Sequence, residues 1–153
     1  MTRGRLLIVV HAPSPNTRRL FDAVAAGASG SGGVEVVARS PFEAGPDDVM
    51  AASGIILGTT ENLGYMSGAL KDFFDRTYYA VLEEKQGLPC ALYIRAGHDG
   101  TGTRRAVESI VTGLRWNWVQ DPMVLRGDWQ DDFEQQVEEL GMYLAAGLDA
   151  GVL

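Results

Sequence analysis

Gly54–Arg76 reads GIILGTTENLGYMSGALKDFFDR, and the fold is decided here. Ile55–Leu57 reads as an apolar strand, Gly58–Met66 as an irregular polar loop, and a helix is expected from about Ser67 to Tyr79. Leu70, Phe73, Phe74 and Thr77 recur at helical spacing, which makes one helix face apolar. The loop is long for a strand-to-helix connection and carries Thr, Glu, Asn, Gly and Tyr. A loop so rich in hydrogen-bonding groups, held between two apolar elements, is a candidate binding edge.

The same strand–loop–helix unit recurs on both sides. Leu6–Val10 is a continuous apolar run, as expected of a strand covered on both faces, and a helix with Leu20, Phe21, Val24 and Ala25 on its apolar face runs up to Ala26. Gly27–Gly33 (GASGSGG) reads as a flexible connector. Val34–Ala38 is a second strand, followed by a short helix from Pro46 to about Ala51. Beyond the central stretch come a strand at Leu88–Arg95, a helix at Arg104–Gly113, and a strand over Trp116–Leu125 that Asp121-Pro122 interrupts. A helix over Trp129–Ala146 closes the chain. This alternation predicts an α/β fold in three layers, a doubly wound five-stranded parallel sheet with helices on both faces, as one domain over residues 1–153.

Composition narrows the function classes. The chain of 153 residues carries 13 Lys+Arg against 20 Asp+Glu, a net charge of −7, and no basic stripe, which argues against a nucleic-acid partner. Cys90 is the single cysteine and lies in an apolar run, so a buried inert thiol is expected and an intrachain disulfide is impossible. No run approaches the roughly 18 apolar residues of a membrane span, and the apolar run after the N-terminus is too short for a signal peptide. Cytoplasmic location is the expectation. His11 and His98 lack metal-ligand spacing, so no metal is expected, and there is no nucleophile elbow. Trp116, Trp118 and Trp129 are read as packing residues, and Asp128–Glu139 as a solvated helix face.

In a doubly wound sheet, ligands bind outside the carboxyl ends of the strands, where the strand order reverses. Three connections at those ends are unusually polar: His11–Asn16, Gly58–Met66 and Ala96–Gly102. In the first, the Ser14 and Thr17 hydroxyls, the Asn16 amide and backbone N–H groups form an anion site at a helix start, set against a plain N-cap as the alternative. Charged hydrogen bonds of about 1.5–3 kcal/mol each outweigh a helix dipole of about 0.3–1 kcal/mol, so no lysine is required. GxxxxGK[ST] and GxGxxG are both absent there. In the second loop, Asn62 and Gly64 offer amides, Tyr65 a stacking ring, Glu61 a solvated carboxylate, and Met66 belongs to the core. In the third, Gly97, Gly100 and Gly102 allow close backbone approach, and His98 can supply a proton. No catalytic dyad is visible; water, Tyr65 or His98 are the candidates for proton donation.

SPNT at Ser14–Thr17, GTTENLGYMSGALKDFFDR at Gly58–Arg76, AGHDGTGT from Ala96 and the tail LAAGLDAGVL together resemble the flavodoxin-like superfamily. Within it, the branch of NADPH-dependent FMN reductases and NAD(P)H:quinone oxidoreductases is the most similar. The resemblance implies strand order 2-1-3-4-5 and FMN as cofactor. Ser14, Pro15, Asn16 and Thr17 would hold its phosphate. Thr59, Thr60, Glu61, Asn62, Leu63, Gly64, Tyr65 and Met66 would line its ring, and Ala96, Gly97, His98 and Gly100 would close the other edge. It implies NAD(P)H as co-substrate, a quinone or similar small acceptor, and a homodimer or homotetramer. Thr60 stands where relatives usually carry Pro, and the chain is shorter than a typical quinone reductase. An electron carrier serving a redox partner protein, or a non-redox binding or regulatory module, are the alternative readings.

Overall fold

The computed structural model describes residues 4–153. Strand β1 (Arg5–Val10) leads into α1 (Pro15–Ser29), β2 (Glu35–Arg39) into α2 (Pro46–Ala51), and β3 (Gly54–Asn62) into a two-residue strand β4 (Tyr65–Met66) and α3 (Gly68–Val81). Strand β5 (Pro89–Ala96) precedes α4 (Thr101–Leu114); β6 (Asn117–Trp118) and β7 (Met123–Arg126) then precede α5 (Asp132–Ala150). The parallel order is β2-β1-β3-β5-β6, with β7 also lying along β5. The last position of the sheet is thus one strand split by Asp121-Pro122, and the order corresponds to the expected 2-1-3-4-5.

Two apolar layers enclose the sheet because its strands are apolar on both sides. One face packs Leu7, Val9, Ile55, Leu57, Leu92 and Ile94 against α2, α3 and α4, with Phe73, Phe74 and Trp116 at its centre. The other packs Leu6, Ile8, Ile56, Ala91 and Tyr93 against α1 and α5. Cys90 is fully buried in the first layer, and burial pushes its thiol pKa up, away from reactivity. Tyr93 lies beneath Gly58, where a Cβ would come within 2.8 Å of the tyrosine hydroxyl oxygen. That hydroxyl is buried without a hydrogen-bond partner among the described residues.

Three sequence expectations are corrected. The connector expected to begin at Gly27 begins later, because Gly27, Ala28 and Ser29 continue α1. Gly27 and Gly141 are where α1 and α5 touch backbone to backbone: a Cβ on Gly27 would stand 2.9 Å from the Glu138 carbonyl carbon. A glycine read as flexibility is here a packing requirement. The closing helix starts at Asp132 rather than Trp129; Trp129 instead stacks edge-on against Phe133, with the Arg19 guanidinium over its ring. The largest revision concerns Gly58–Met66. It is not an irregular loop. Strand β3 runs on to Asn62, with Thr59 and Thr60 still paired to Ile94 and Arg95, and turns back through Leu63-Gly64 into β4. Leu63 (φ 54°) and Gly64 (φ 73°) both have positive φ, the geometry of a tight hairpin turn. Leu at the first turn position replaces the usual Asn or Asp, so only Gly64 of the usual hairpin signal stands in the sequence.

Candidate functional site

Strands β1, β3 and β5 end at one edge of the sheet, and the three polar connections meet there as the sequence predicts. The His11 amide donates to the Gly58 carbonyl at 3.0 Å, joining the first connection to β3. The Glu61 carboxylate accepts the amides of His98 and Gly100, each at 2.8 Å, joining β3 to the third connection. The hairpin is held on both flanks. The Ser67 amide donates to Thr59 Oγ1 at 3.0 Å, and the Thr103 hydroxyl donates to the Tyr65 carbonyl at 2.9 Å. Gly102 sits so close to the Gly64 carbonyl oxygen that no side chain fits there. The Arg95 guanidinium donates to the Ala96 and Leu125 carbonyls at 2.9 and 3.1 Å and lies over the Phe133 ring, fixing the ends of β5 and β7.

The placements of the sequence candidates differ. Ser14 is the N-cap of α1 in a capping box: its Oγ accepts the Thr17 amide at 3.2 Å, and Thr17 Oγ1 accepts the Ser14 amide at 2.9 Å. Two amides expected to be free are therefore engaged, and Pro13 and Pro15 have none to offer. The Asn16 amide and side chain have no partner among the described residues. Thr59 and Met66 are buried, and Thr59 braces the hairpin through the Ser67 amide. Thr60 Oγ1 bonds Asn62 Oδ1 at 2.7 Å. Leu63 is fully exposed at the hairpin tip, with Tyr65 beside it at 42% exposure. Ala96 and Gly100 are buried, while Gly97 and His98 are exposed. Glu61 was expected to be solvated; its carboxylate is instead bound by two backbone amides from across the edge. Thr103 and Arg95 were not singled out from sequence, because the Tyr65 and Leu125 carbonyls they bind lie 38 and 30 residues away; Ser67 was read only as the start of a helix.

The five helices of the described residues follow strands and begin at this edge, so each presents free amides with partial positive charge. Side chains already neutralise most of them. Helix α2 has Asp47 and Asp48 in its first turn, and Asp48 accepts the Gly45 amide at 2.9 Å. At α4, Glu61 takes the Gly100 amide and Asp99 takes that of Thr101 at 3.0 Å; that amide holds the Asp99 pKa below the ordinary range. Helix α5 carries Asp132 and Glu134. Only α1 and α3 are capped by neutral hydroxyls, Ser14 and Ser67, with no acid in the first turn. Ser67 is fully buried under the hairpin, whereas the α1 end is open to solvent. Among the helix starts of the described residues, an external anion therefore meets favourable, accessible charge at α1 alone. Next to it, His11 is half-buried, and desolvation lowers its pKa.

Other features do not converge on this edge. A groove of about 530 Å³ lies between the C-terminal halves of α1 and α5, lined by Gly27, Glu138, Met142 and Tyr143 among others. It is an apolar surface feature, and none of the candidate site residues lines it. Among the described residues no group of three His, Cys, Asp or Glu side chains is placed to hold a metal ion. No helix among them is long and apolar enough to cross a membrane.

No protein-family model matches the chain. A flavodoxin of Aquifex aeolicus is 32% identical over 111 residues, which make up 72% of this chain and 60% of that relative. The matched stretch thus spans only three-fifths of the relative's own length. Among solved structures, a flavodoxin from the domain Archaea superposes with a TM-score of 0.79 at 21% identity, covering 94% of this chain and 98% of the other. A WrbA-like flavodoxin from Agrobacterium tumefaciens gives 0.73 at 17% identity, covering 96% and 98%. Oxidised flavodoxin 1 from Bacillus cereus gives 0.75 at 14%, covering 97% and 99%. The fold is flavodoxin-like.

Proposed function

We propose that residues 1–153 act as one FMN-binding redox domain. The observation that supports this most directly is the charge pattern of the carboxyl edge: the α1 start is exposed with a neutral cap, while α2, α4 and α5 are answered by carboxylates and the neutral cap of α3 is buried. A phosphate there receives the Asn16 amide, and the Ser14 and Thr17 groups once they turn from each other toward the anion. The Tyr65 ring, exposed on the hairpin at the same sheet edge, offers a surface for a flat heterocycle. The donor set fits FMN: neutral hydroxyls and amides for a phosphate, an aromatic face for a ring, and no carboxylate in the first turn of α1 to repel a dianion. When bound, the flavin supplies the electron or hydride chemistry.

The chain's own residues bind and orient. Thr17 and Asn16 hold the phosphate end. Tyr65, Thr60 and Asn62 face the ring along the outer side of the hairpin, and Gly97 leaves its opposite edge open to solvent. His98, exposed on the third connection, can carry a proton to a reduced acceptor. Leu63, Tyr65, Gly97 and His98 are all exposed at this edge, which suits an electron carrier that meets a redox partner protein face to face. The name of the Aquifex relative supports the same reading. A second reading, reduction of a quinone or similar acceptor by NAD(P)H, is favoured by the fully exposed Leu63 beside Tyr65, an apolar surface where an apolar acceptor can lie.

Purified protein mixed with FMN and freed of excess ligand should retain a yellow flavin spectrum and melt at a higher temperature. Colourless protein with an unchanged melting temperature would refute both redox readings and leave a non-redox binding module. Oxidation of NADPH or NADH coupled to a quinone separates the reductase from the carrier.

A further inference from the structure

We propose that Glu61 is a positioning residue: its carboxylate fills the anion-binding turn made by the His98 and Gly100 amides and so locks residues 97–100 onto the β3–β4 hairpin. Two amides from alternate residues of one turn converge on the two oxygens of a single side chain, each at 2.8 Å. Backbone concavities of this kind bind anions, and Gly100, with φ 71°, supplies the left-handed residue that shapes this one. Asp99 and Thr103 do not duplicate the arrangement. The Asp99 carboxylate takes the Thr101 amide within its own connection, and the Thr103 hydroxyl is an uncharged contact from α4 to Tyr65. Glu61 is therefore the one charged bond between the second and third connections among the described residues.

The arrangement has a consequence for a ligand at this edge. The amides of His98 and Gly100 are turned toward Glu61 and are not donors to a bound ring. Hairpin and third connection instead form a single wall whose spacing Glu61 sets. Only this consequence rests on the FMN reading; the lock itself does not.

Amide hydrogen exchange on the flavin-free full chain tests it. In the wild type, the His98 amide should be protected although the residue is exposed, and the buried Gly100 amide should be protected with it. Glu61→Ala should accelerate exchange at both by at least about tenfold, the equivalent of losing a charged hydrogen bond at each, with the β5 amides unchanged. Glu61→Gln should be asymmetric, because a carboxamide has one acceptor oxygen: one of the two amides keeps its protection and the other loses it. General loosening does not produce that asymmetry. Wild-type exchange rates at His98 and Gly100 in Glu61→Ala, or acceleration spread equally through β5 in both variants, would overturn the proposal. In flavin titrations, Glu61→Ala should weaken FMN and riboflavin by the same factor, since the two share the ring; unchanged affinity for both would overturn the positioning role. Failure of the wild type to bind either flavin would refute the cofactor reading, while the exchange data would still decide the lock.

Discussion

Thr17→Val replaces a hydroxyl with a methyl at nearly constant shape, on a residue that is 7% exposed and closes the capping box of α1. Without ligand, the variant loses the acceptor for the Ser14 amide at 2.9 Å and the contact to Ser14 Oγ at 2.8 Å. Loss of a cap of this kind costs about 1 kcal/mol. For a chain of this size that lowers the melting temperature by roughly 2–4 °C. With FMN, the variant also loses a charged hydrogen bond to phosphate, worth about 1.5–3 kcal/mol, or a roughly 10- to 150-fold weaker dissociation constant. Riboflavin has the ring and no phosphate, so its affinity should not change. The assay is a flavin-fluorescence titration of both ligands against both proteins, well below either melting transition, with Thr17→Ser as the variant that keeps the hydroxyl and the affinity. Equal weakening of FMN and riboflavin would refute the assignment of phosphate to α1, because the loss would then lie in the fold rather than in the contact.

Three further outcomes follow from the packing. Gly141→Ala would place a Cβ 2.9 Å from the Ala28 amide nitrogen and closer still to the Val24 carbonyl oxygen. Overpacking of about 1–3 kcal/mol, less a helix-propensity gain near 1 kcal/mol, should lower stability in urea unfolding, and a gain would mean that α1 and α5 do not touch there. Tyr93→Phe removes a buried hydroxyl that has no partner among the described residues, so stability should hold or rise by up to about 1 kcal/mol; a clear loss would reveal a bond to that oxygen. Burial lowers the His11 pKa below its ordinary 6.5, so the unfolded chain takes up the proton first. The contribution of this group is full above that ordinary value and declines as pH falls through it. A melting series in pH should be flatter for His11→Asn than for the wild type, and identical slopes would refute the assignment.

Much of the architecture was determined by the sequence alone, for a simple reason. Doubly covered strands need unbroken apolar runs and their helices need a 3.6-residue stripe, so Leu6–Val10, Leu88–Ile94 and the Leu70–Thr77 face declare themselves locally. Once five such units alternate, the parallel sheet and its polar carboxyl edge follow from chain connectivity. Tertiary structure decided what each polar residue at that edge does. Leu63-Gly64 turns a hairpin without the usual Asn-Gly, because pairing of β3 with β5 and the flanking bonds from Ser67 and Thr103 hold it. Glu61 finds its partners 37 and 39 residues away, a distance no local pattern encodes. Gly27 and Gly141 exchange backbone contacts between two helices that are far apart in sequence. Periodicity is a property of neighbouring residues, and so it is legible in order. Which carboxylate answers which helix end is a property of the assembled edge, and it exists only once the strands are side by side.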